Sequence, residues 1–122
     1  MGAYVIQVNY RELDDHEINR LCCERLGLQL KPHLWEHGSR WQDVAWFKGE
    51  TLLGKPNFLL QDPLPLLMLQ HLEQQHLQEK YAQMLYKVIG GLHLPQWLSL
   101  YRVAHATPRE RLEAFLQVTE PA

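Results

Sequence analysis

The stretch HATPRERLEAFL, residues 105–116, contains the clearest structural signal in the chain. Thr107 is a preferred N-cap residue, and Pro108 at the first helical position gives up only an N–H that would have no partner there. Glu110, three residues after the cap, can reach back to the backbone of Thr107 and close a capping box. The stretch therefore predicts a helix over residues 108–118. Its buried residues are expected to be Leu112, Phe115 and Leu116.

The size and composition predict one globular domain over residues 1–122, long enough to fold without metals or disulfides. Hydrophobic residues make up 46% and charged residues 21%, as in ordinary globular proteins. A formal net charge of −2 indicates neither a nucleic-acid-binding surface nor an acidic DNA mimic. The chain begins with no recognisable signal peptide and has no apolar run that could span a bilayer, so a cytoplasmic protein is expected.

About four helices are predicted in all. The first runs over residues 15–26, with Asp14 as its cap, Glu17 as the capping-box partner and Gly27 as its stop. The second opens at Asp62-Pro63 and continues to about residue 75. The third follows an apolar stripe over residues 77–88, and we expect a break near residues 74–76 because that glutamine-rich junction carries no core residue.

Residues 92–106 leave two alternatives open. Trp97, Ser99, Tyr101 and Val103 alternate with their neighbours as in a strand, whereas Pro95 is suited to opening a short helix.

The extended segments predict a small antiparallel sheet, which makes the fold class α+β. Period-two alternation predicts a strand over residues 4–9, whose unpaired edge would allow it to pair with its copy in a homodimer. A turn-like stretch, residues 36–40, predicts a Trp-rich hairpin of residues 32–35 against residues 41–47. The glycines and proline of residues 49–56 are interpreted as a loop.

Four tryptophans are many for this length, and at least half of them are expected in the core. If the hairpin is half exposed, alternate tryptophans face water beside basic side chains. Such a patch would suit a protein-binding hot spot or the stacking of single-stranded nucleic acid. The candidate binding residues are Trp35, Arg40, Trp41, Trp46 and Lys48.

Other chemistry-bearing groups favour structural roles. His33 and His37 match the H-x-x-E-H pattern of inverted zinc proteases, but Pro32 and Gly38 leave no room for the helix which that pattern needs. Cys22 and Cys23 are expected to be reduced, inert thiols, since adjacent cysteines on a helix are poorly placed for a bridge. Arginines alternate with glutamates over residues 109–113, which favours a solvated mixed-charge face. No catalytic residue, metal site or cofactor is predicted.

Several phrases, taken in order, resemble a family of small uncharacterised proteins of tailed phages and bacterial prophages. The phrases are an "I…LC…G" pattern over residues 18–27, "PNF…D" over 56–62, "YA..LY.V" over 81–88 and "HAT…R.EAFL" over 105–116. The similarity covers roughly residues 12–118. A strand at residues 4–9 and the Pro108 that replaces a commoner alanine depart from the pattern. The resemblance implies a small α+β protein of a phage or prophage, and it implies no established activity.

These observations predict a non-enzymatic accessory protein that binds a host bacterial protein, in the concrete version as an inhibitor of a defence or regulatory factor. The alternative is a nucleic-acid-binding phage regulatory module that uses the hairpin. A third and weaker hypothesis is a metal-dependent enzyme around His33 and His37. No membrane partner is expected.

Overall fold

The computed structural model describes residues 8–33, 43–60 and 65–121. Within these ranges the protein is α+β, with five α-helices, a three-stranded antiparallel sheet and three short 3₁₀ segments. No helix in this part of the chain combines the length and the apolar character needed to cross a bilayer. The elements are α1 Asp15–Arg25, β1 Gln29–His33, β2 Asp43–Lys48, β3 Thr51–Gly54, α2 Leu66–Gln74, α3 Gln78–Val88, α4 Gln96–Ala104 and α5 Pro108–Val118, with 3₁₀ segments Tyr10–Glu12, Phe58–Leu60 and Gly91–His93.

The last helix has the start that its sequence predicts. The Thr107 hydroxyl accepts from the Glu110 N–H at 3.1 Å, and the Glu110 carboxylate accepts from the Thr107 N–H at 2.9 Å. Residues 112–116 of α5 are all buried, so this helix lies at the centre of the core. The prediction that Leu112, Phe115 and Leu116 are core residues is confirmed.

The first helix also follows its signals closely. Asp14 accepts from the Glu17 N–H at 2.8 Å, as predicted for the cap. The predicted capping box is wrong, because the Glu17 carboxylate pairs with Arg20 on the next turn. Beyond Arg25 the chain turns through Gly27 at a φ of +76°. The Gly27 N–H donates to the Glu24 carbonyl and the Leu28 N–H to the Cys23 carbonyl, which is the Schellman arrangement of a helix end.

The predicted break between the second and third helices is confirmed, because α2 ends at Gln74 and α3 begins at Gln78. The same Schellman arrangement ends α2, with His76 in the left-handed position at a φ of +55°. The predicted start at Asp62-Pro63 is wrong, because Pro65 is the N-cap residue and the helix begins at Leu66. Pro65 itself has extended backbone, at a ψ of 145°, so the helix starts only after it; Asp62 and Pro63 lie outside the described residues.

Residues 92–106 adopt the helical alternative. Pro95 is the N-cap of α4, and its carbonyl accepts from the N–H groups of Leu98 and Ser99 at 3.0 Å each. A proline with extended backbone is a suitable residue at the start of a helix, because the four residues after it can close the first helical turn. The strand alternative is therefore wrong.

The sheet has the order β1-β2-β3, and β1 pairs with β2 so that Leu30 lies opposite Trp46. The antiparallel pairing of Pro32 with residue 44 agrees with the prediction, although β1 begins earlier, at Gln29. Residues 34–42 lie outside the described residues, so the structure does not test the Trp-rich hairpin itself. The predicted loop at residues 49–56 is wrong in part, since residues 51–54 form β3. Gly49, at a φ of +61°, lies in the two-residue turn between β2 and β3, so the glycine marked a hairpin turn.

Most of the predicted N-terminal strand lies outside the described residues. Its last two positions, Val8 and Asn9, are not in a strand. Instead the Asn9 side chain accepts from the Arg11 N–H at 3.2 Å and caps the 3₁₀ turn Tyr10–Glu12. A short polar side chain that bonds the following backbone favours this turn over an extended strand.

Two clusters of apolar side chains form the core of the described residues. The larger one joins α1, α2 and α5, and Phe58 and Leu28 close it beside the sheet. The smaller one lies between α3 and α5, and Val103 of α4 packs against it. This arrangement leaves α4 at the periphery, held on one side only.

Candidate binding surface

Trp46 is the predicted binding tryptophan that the structure describes. It lies in β2, is half-buried and packs against the larger core cluster. Lys48 is exposed at the end of the same strand. Trp35, Arg40 and Trp41 lie outside the described residues, so the structure does not test whether the predicted set comes together.

The exposed part of Trp46 lines a cavity of about 380 Å³ between α1 and the sheet. Leu30, Val44 and Pro56 supply most of its apolar lining, and Lys48 is not part of it. The polar groups of α1 at its rim are held by neighbours. The Asn19 amide donates to the Pro56 carbonyl at 2.7 Å, and Arg20 pairs with glutamates one turn before and after it. The cavity therefore offers an apolar recess with few uncommitted donors on the helix side.

A larger apolar surface lies on α4. Trp97, Leu100 and Tyr101 have exposed fractions of 70%, 61% and 60%, and Ala104 is exposed as well. Their spacing of three, four and seven residues places them on one side of the helix. We call these four residues the α4 face. Exposed tryptophan is uncommon on monomeric surfaces unless a partner covers it, so the α4 face is the strongest candidate binding surface.

The opposite side of α4 explains why the apolar side points outward. Ser99 is fully buried there, and its hydroxyl donates to the Gly91 carbonyl at 3.0 Å. The Tyr86 hydroxyl donates to the Ser99 hydroxyl oxygen at 3.4 Å. Gly91 is in close contact with the Tyr86 ring, since a Cβ at this position would lie 2.8 Å from a ring carbon. A small polar residue faces the core while larger apolar residues face solvent, which is the reverse of an ordinary amphipathic helix.

The stretch of sequence that contains α4 has few charges, and they are of one sign. Residues 80–109 contain four Lys or Arg residues and no Asp or Glu, although the whole chain has twelve basic and fourteen acidic residues. The remaining residues therefore carry eight basic against fourteen acidic side chains. Arg102 and His105 are exposed on α4 and at its end, and the His105 ring lies on Tyr101 with 4.4 Å between the ring centroids. Glu110, just beyond this stretch, lines the same cavity as Tyr101, Arg102 and His105, so the α4 face is apolar and both signs of charge border it.

Arg109, in contrast, is committed to the fold. Its guanidinium donates to the Tyr10 carbonyl at 2.9 Å, to the Leu13 carbonyl and to Asp15 at 2.7 Å. Glu113, only 6% exposed, lies 3.5 Å from it. The predicted solvated mixed-charge face is therefore wrong, because Arg109 joins α5 to the segment before α1.

A second polar network ties the two ends of the described chain together. The Tyr10 hydroxyl donates to Glu120 at 2.7 Å, and Arg25 donates to that hydroxyl at 2.9 Å and to the Leu116 carbonyl at 2.6 Å. Burial and the bond to Glu120 raise the pKa of Tyr10. These groups satisfy one another, so the network is structural.

Cys22 and Cys23 are buried free thiols, as predicted. Burial raises the pKa of Cys22 well above that of an ordinary thiol and raises the pKa of Cys23 to about 12. At neutral pH both thiols stay protonated, and a protonated, buried thiol is a poor nucleophile.

The histidines singled out in the sequence do not meet at one place in the described part of the chain. His33 lies in β1, with its ring edge-on to Phe47 at 6.0 Å, whereas the H-x-x-E-H pattern requires a helix. His37 is outside the described residues. His71 packs edge-on against Phe115. Among the described residues, no three His, Cys, Asp or Glu side chains are grouped as metal ligands.

The sequence did carry a signal for the α4 face. Under the helical alternative, residues 97, 100, 101 and 104 fall on one side, and the absence of carboxylates over residues 80–109 sets this region apart. The signal was hidden because the same residues also fit a strand, in which Trp97 and Tyr101 share a face with Ser99.

Comparison of the chain with known family models, with curated proteins and with solved structures gives no significant match.

Proposed function

We propose that the protein is a non-enzymatic binding protein and that its α4 face is the contact for a protein partner. The observation that supports this most is the outward position of Trp97, Leu100 and Tyr101 on a helix whose inward position is a serine. Tryptophan and tyrosine are enriched among residues that dominate binding energy, because they bury a large area at a small cost in side-chain entropy. Such a surface suits recognition, not substrate turnover.

The resemblance to phage and prophage proteins supports the choice of partner. We propose that the chain is a phage or prophage accessory protein which acts in the bacterial cytoplasm on a host protein. The specific activity in this proposal is inhibition of a defence or regulatory factor. Covering a functional surface of the target would be sufficient to inhibit it. No cofactor enters this proposal.

The Trp-rich hairpin belongs to the proposal as a second contact. β1 and β2 pair antiparallel, and Trp46 lies in β2 beside an apolar cavity. We propose that Trp35, Arg40 and Trp41, in the connection between these strands, extend the aromatic surface with Lys48 at its edge. Alanine substitutions at each of these positions test this part separately.

The test is affinity capture from bacterial lysate with the tagged full chain, with and without nuclease, followed by mass spectrometry. The paired variant is Trp97→Ala/Leu100→Ala. The matched control is Leu60→Ala, since Leu60 is an even more exposed leucine, at 82%, outside α4. We expect one host protein to be captured by the wild type and the control after nuclease treatment, and lost with the paired variant. Absence of any enriched protein would contradict the proposal.

Nucleic-acid binding is the alternative, and one observation favours it. Trp97 and Tyr101 are exposed within a stretch that has no carboxylate, and exposed aromatic rings beside basic residues can stack on bases. Capture that disappears with nuclease would support this alternative. Its affinity should fall steeply with added salt, because counterion release dominates such binding, whereas an apolar protein contact should respond much less.

A further inference from the structure

We propose that α4 opens as a unit, leaving its position on the fold while the other helices stay packed. This opening does not depend on the proposed function. Each other α-helix in the described part of the chain has at least two buried residues, whereas α4 has one, Ser99. Burial of apolar area is the main force that docks a helix on its neighbours. In α4 this force comes from residues that are only half-buried, Leu98 and Val103.

The polar contact that holds α4 can be released without loss of hydrogen bonds. The Ser99 hydroxyl donates to the Gly91 carbonyl at 3.0 Å, and a second acceptor, the Pro95 carbonyl, lies 3.2 Å from it. Because Pro95 is the N-cap of α4 itself, the hydroxyl keeps an acceptor when the helix moves away from Gly91. The Gly91 carbonyl and the half-buried Tyr86 hydroxyl would then bond to water. Opening therefore leaves none of these polar groups both buried and unpaired.

The largest side chains of α4 are already in solvent when the helix is docked. Trp97, Leu100 and Tyr101 are exposed, so opening changes their surroundings little. The apolar cost of opening therefore falls mainly on Leu98 and Val103. Segments with few buried apolar side chains are those that open below the free energy of global unfolding.

Both ends of α4 have residues at which the chain can turn. Leu94 and Pro95 have extended backbone, at ψ values of 153° and 147°, between the 3₁₀ segment Gly91–His93 and the helix. His105 is exposed after the last turn, and Ala106 beyond it is buried in the cluster between α3 and α5. Hinges are commonly a few residues at the ends of elements. The moving unit is therefore residues 96–104, and its opening would give a partner access to both sides of α4.

The test is amide hydrogen exchange of the full chain, measured residue by residue by NMR in water and in urea below the unfolding transition. A detached helix of nine residues is marginal in water, so its amides exchange once it opens. We expect the hydrogen-bonded amides of α4 to exchange roughly a hundred-fold faster than those of α5. Their exchange should also depend only weakly on urea, because that dependence follows the surface exposed by each opening.

Ser99→Ala separates opening of the docked helix from fraying of its ends. Loss of the contact with Gly91 should speed exchange throughout α4 by roughly five-fold and leave α1 and α5 unchanged. Tyr86→Phe should act in the same direction and more weakly. The matched control is Thr119→Ala, which removes a hydroxyl that donates to the Phe115 carbonyl at 2.7 Å and should leave α4 unchanged.

Three results would overturn the proposal. The amides of α4 could exchange with the same free energy and urea dependence as those of α5, which would make opening global. Ser99→Ala could speed exchange equally in α1, α4 and α5, with the same conclusion. Fast exchange of α4 that does not respond to Ser99→Ala would indicate fraying within a helix that stays docked.

Discussion

Replacing Arg109 by methionine should strongly destabilise the fold, because this one side chain connects α5 to two backbone carbonyls and two carboxylates. Methionine keeps much of the side-chain volume and removes the charge and the donors. The Tyr10 and Leu13 carbonyls would each lose a charge-assisted hydrogen bond, and the buried Glu113 would lose the guanidinium that pairs with it. Charge-assisted bonds contribute about 1.5–3 kcal/mol each, and loss of one member of a buried pair costs about 3–5 kcal/mol.

These contributions overlap, and the Arg109 side chain is 24% exposed, so the full sum does not apply. We expect the free energy of unfolding to fall by about 3 kcal/mol. Urea unfolding followed by tryptophan fluorescence measures this change. Arg102→Met is the matched control, since Arg102 is an exposed arginine on a helix surface and its loss should cost at most about 0.5 kcal/mol.

A double-mutant cycle separates the buried charge from the lost hydrogen bonds. Glu113→Gln removes the carboxylate charge, so in the Arg109→Met background it should recover about 1 kcal/mol relative to additivity. A loss of less than about 1 kcal/mol for Arg109→Met, or strict additivity with Glu113→Gln, would refute the argument that this cluster holds the N-terminal segment on α5.

Three further predictions concern stability and thiol chemistry. Gly91→Ala should lower the free energy of unfolding by about 1–2 kcal/mol, because the new Cβ would lie 2.8 Å from the Tyr86 ring; calorimetry should show a smaller loss in a Tyr86→Ala background. His76→Gly should raise that free energy by about 0.5–1 kcal/mol, since glycine adopts the φ of +55° without the strain of a side chain, and a lower melting temperature would contradict this. Cys22 and Cys23 should not react with a thiol reagent in the folded protein at neutral pH and should react fully in urea. Burial raises the pKa of Cys23 from 9.0 to about 12. The contribution of this thiol to stability is therefore complete below pH 9.0 and should be lost as the pH rises from there toward about 12. A Cys23→Ala variant should show a weaker decline.

The sequence-based predictions were most accurate where the residues that carry the signal lie close together in the chain. The start of α5 and the cap of α1 depend on residues three positions apart, and both are present as predicted. The start of α2 was placed too early because Asp62-Pro63 and Pro65 give competing signals, and the second proline is the N-cap residue, with extended backbone. Local sequence signals are thus sufficient to place the end of a helix only when a single signal is present.

β3 was missed for a different reason. Gly49 and Gly54 were interpreted as loop residues, whereas Gly49 forms the tight turn of a hairpin and Gly54 pairs with Trp46. A glycine can end a strand or form the turn of a hairpin, and which of the two it does depends on pairing with another strand. A strand of four residues is too short for its apolar–polar alternation to indicate that pairing.

The candidate surface was predicted at the hairpin, while the exposed tryptophan that the structure describes, Trp97, lies on α4 beside Leu100 and Tyr101. Burial of an aromatic residue depends on which side of its element meets the core, and that side is set here by the fit of Ser99 against Gly91 and Tyr86. The pattern of residues 96–104 alone favours the opposite orientation, with Trp97 and Leu100 inward. Tertiary packing therefore decided the surface, and the sequence contributed mainly the one-sided charge of residues 80–109.

The phrase "HAT…R.EAFL" and the α4 face lie side by side in the chain and have separate roles. Ala106 and the residues 113–116 are buried, and Thr107 caps α5, so most of the phrase is accounted for by folding. A stretch under such constraint can persist among proteins that bind quite different partners, because packing and capping restrict it whatever the surface recognises. The α4 face contributes little to the core, so folding alone gives no reason for Trp97 and Leu100 to be apolar there. Under the proposed function a partner would supply that reason, and the two halves of residues 96–116 would then divide into a segment fixed by the fold and a segment fixed by binding.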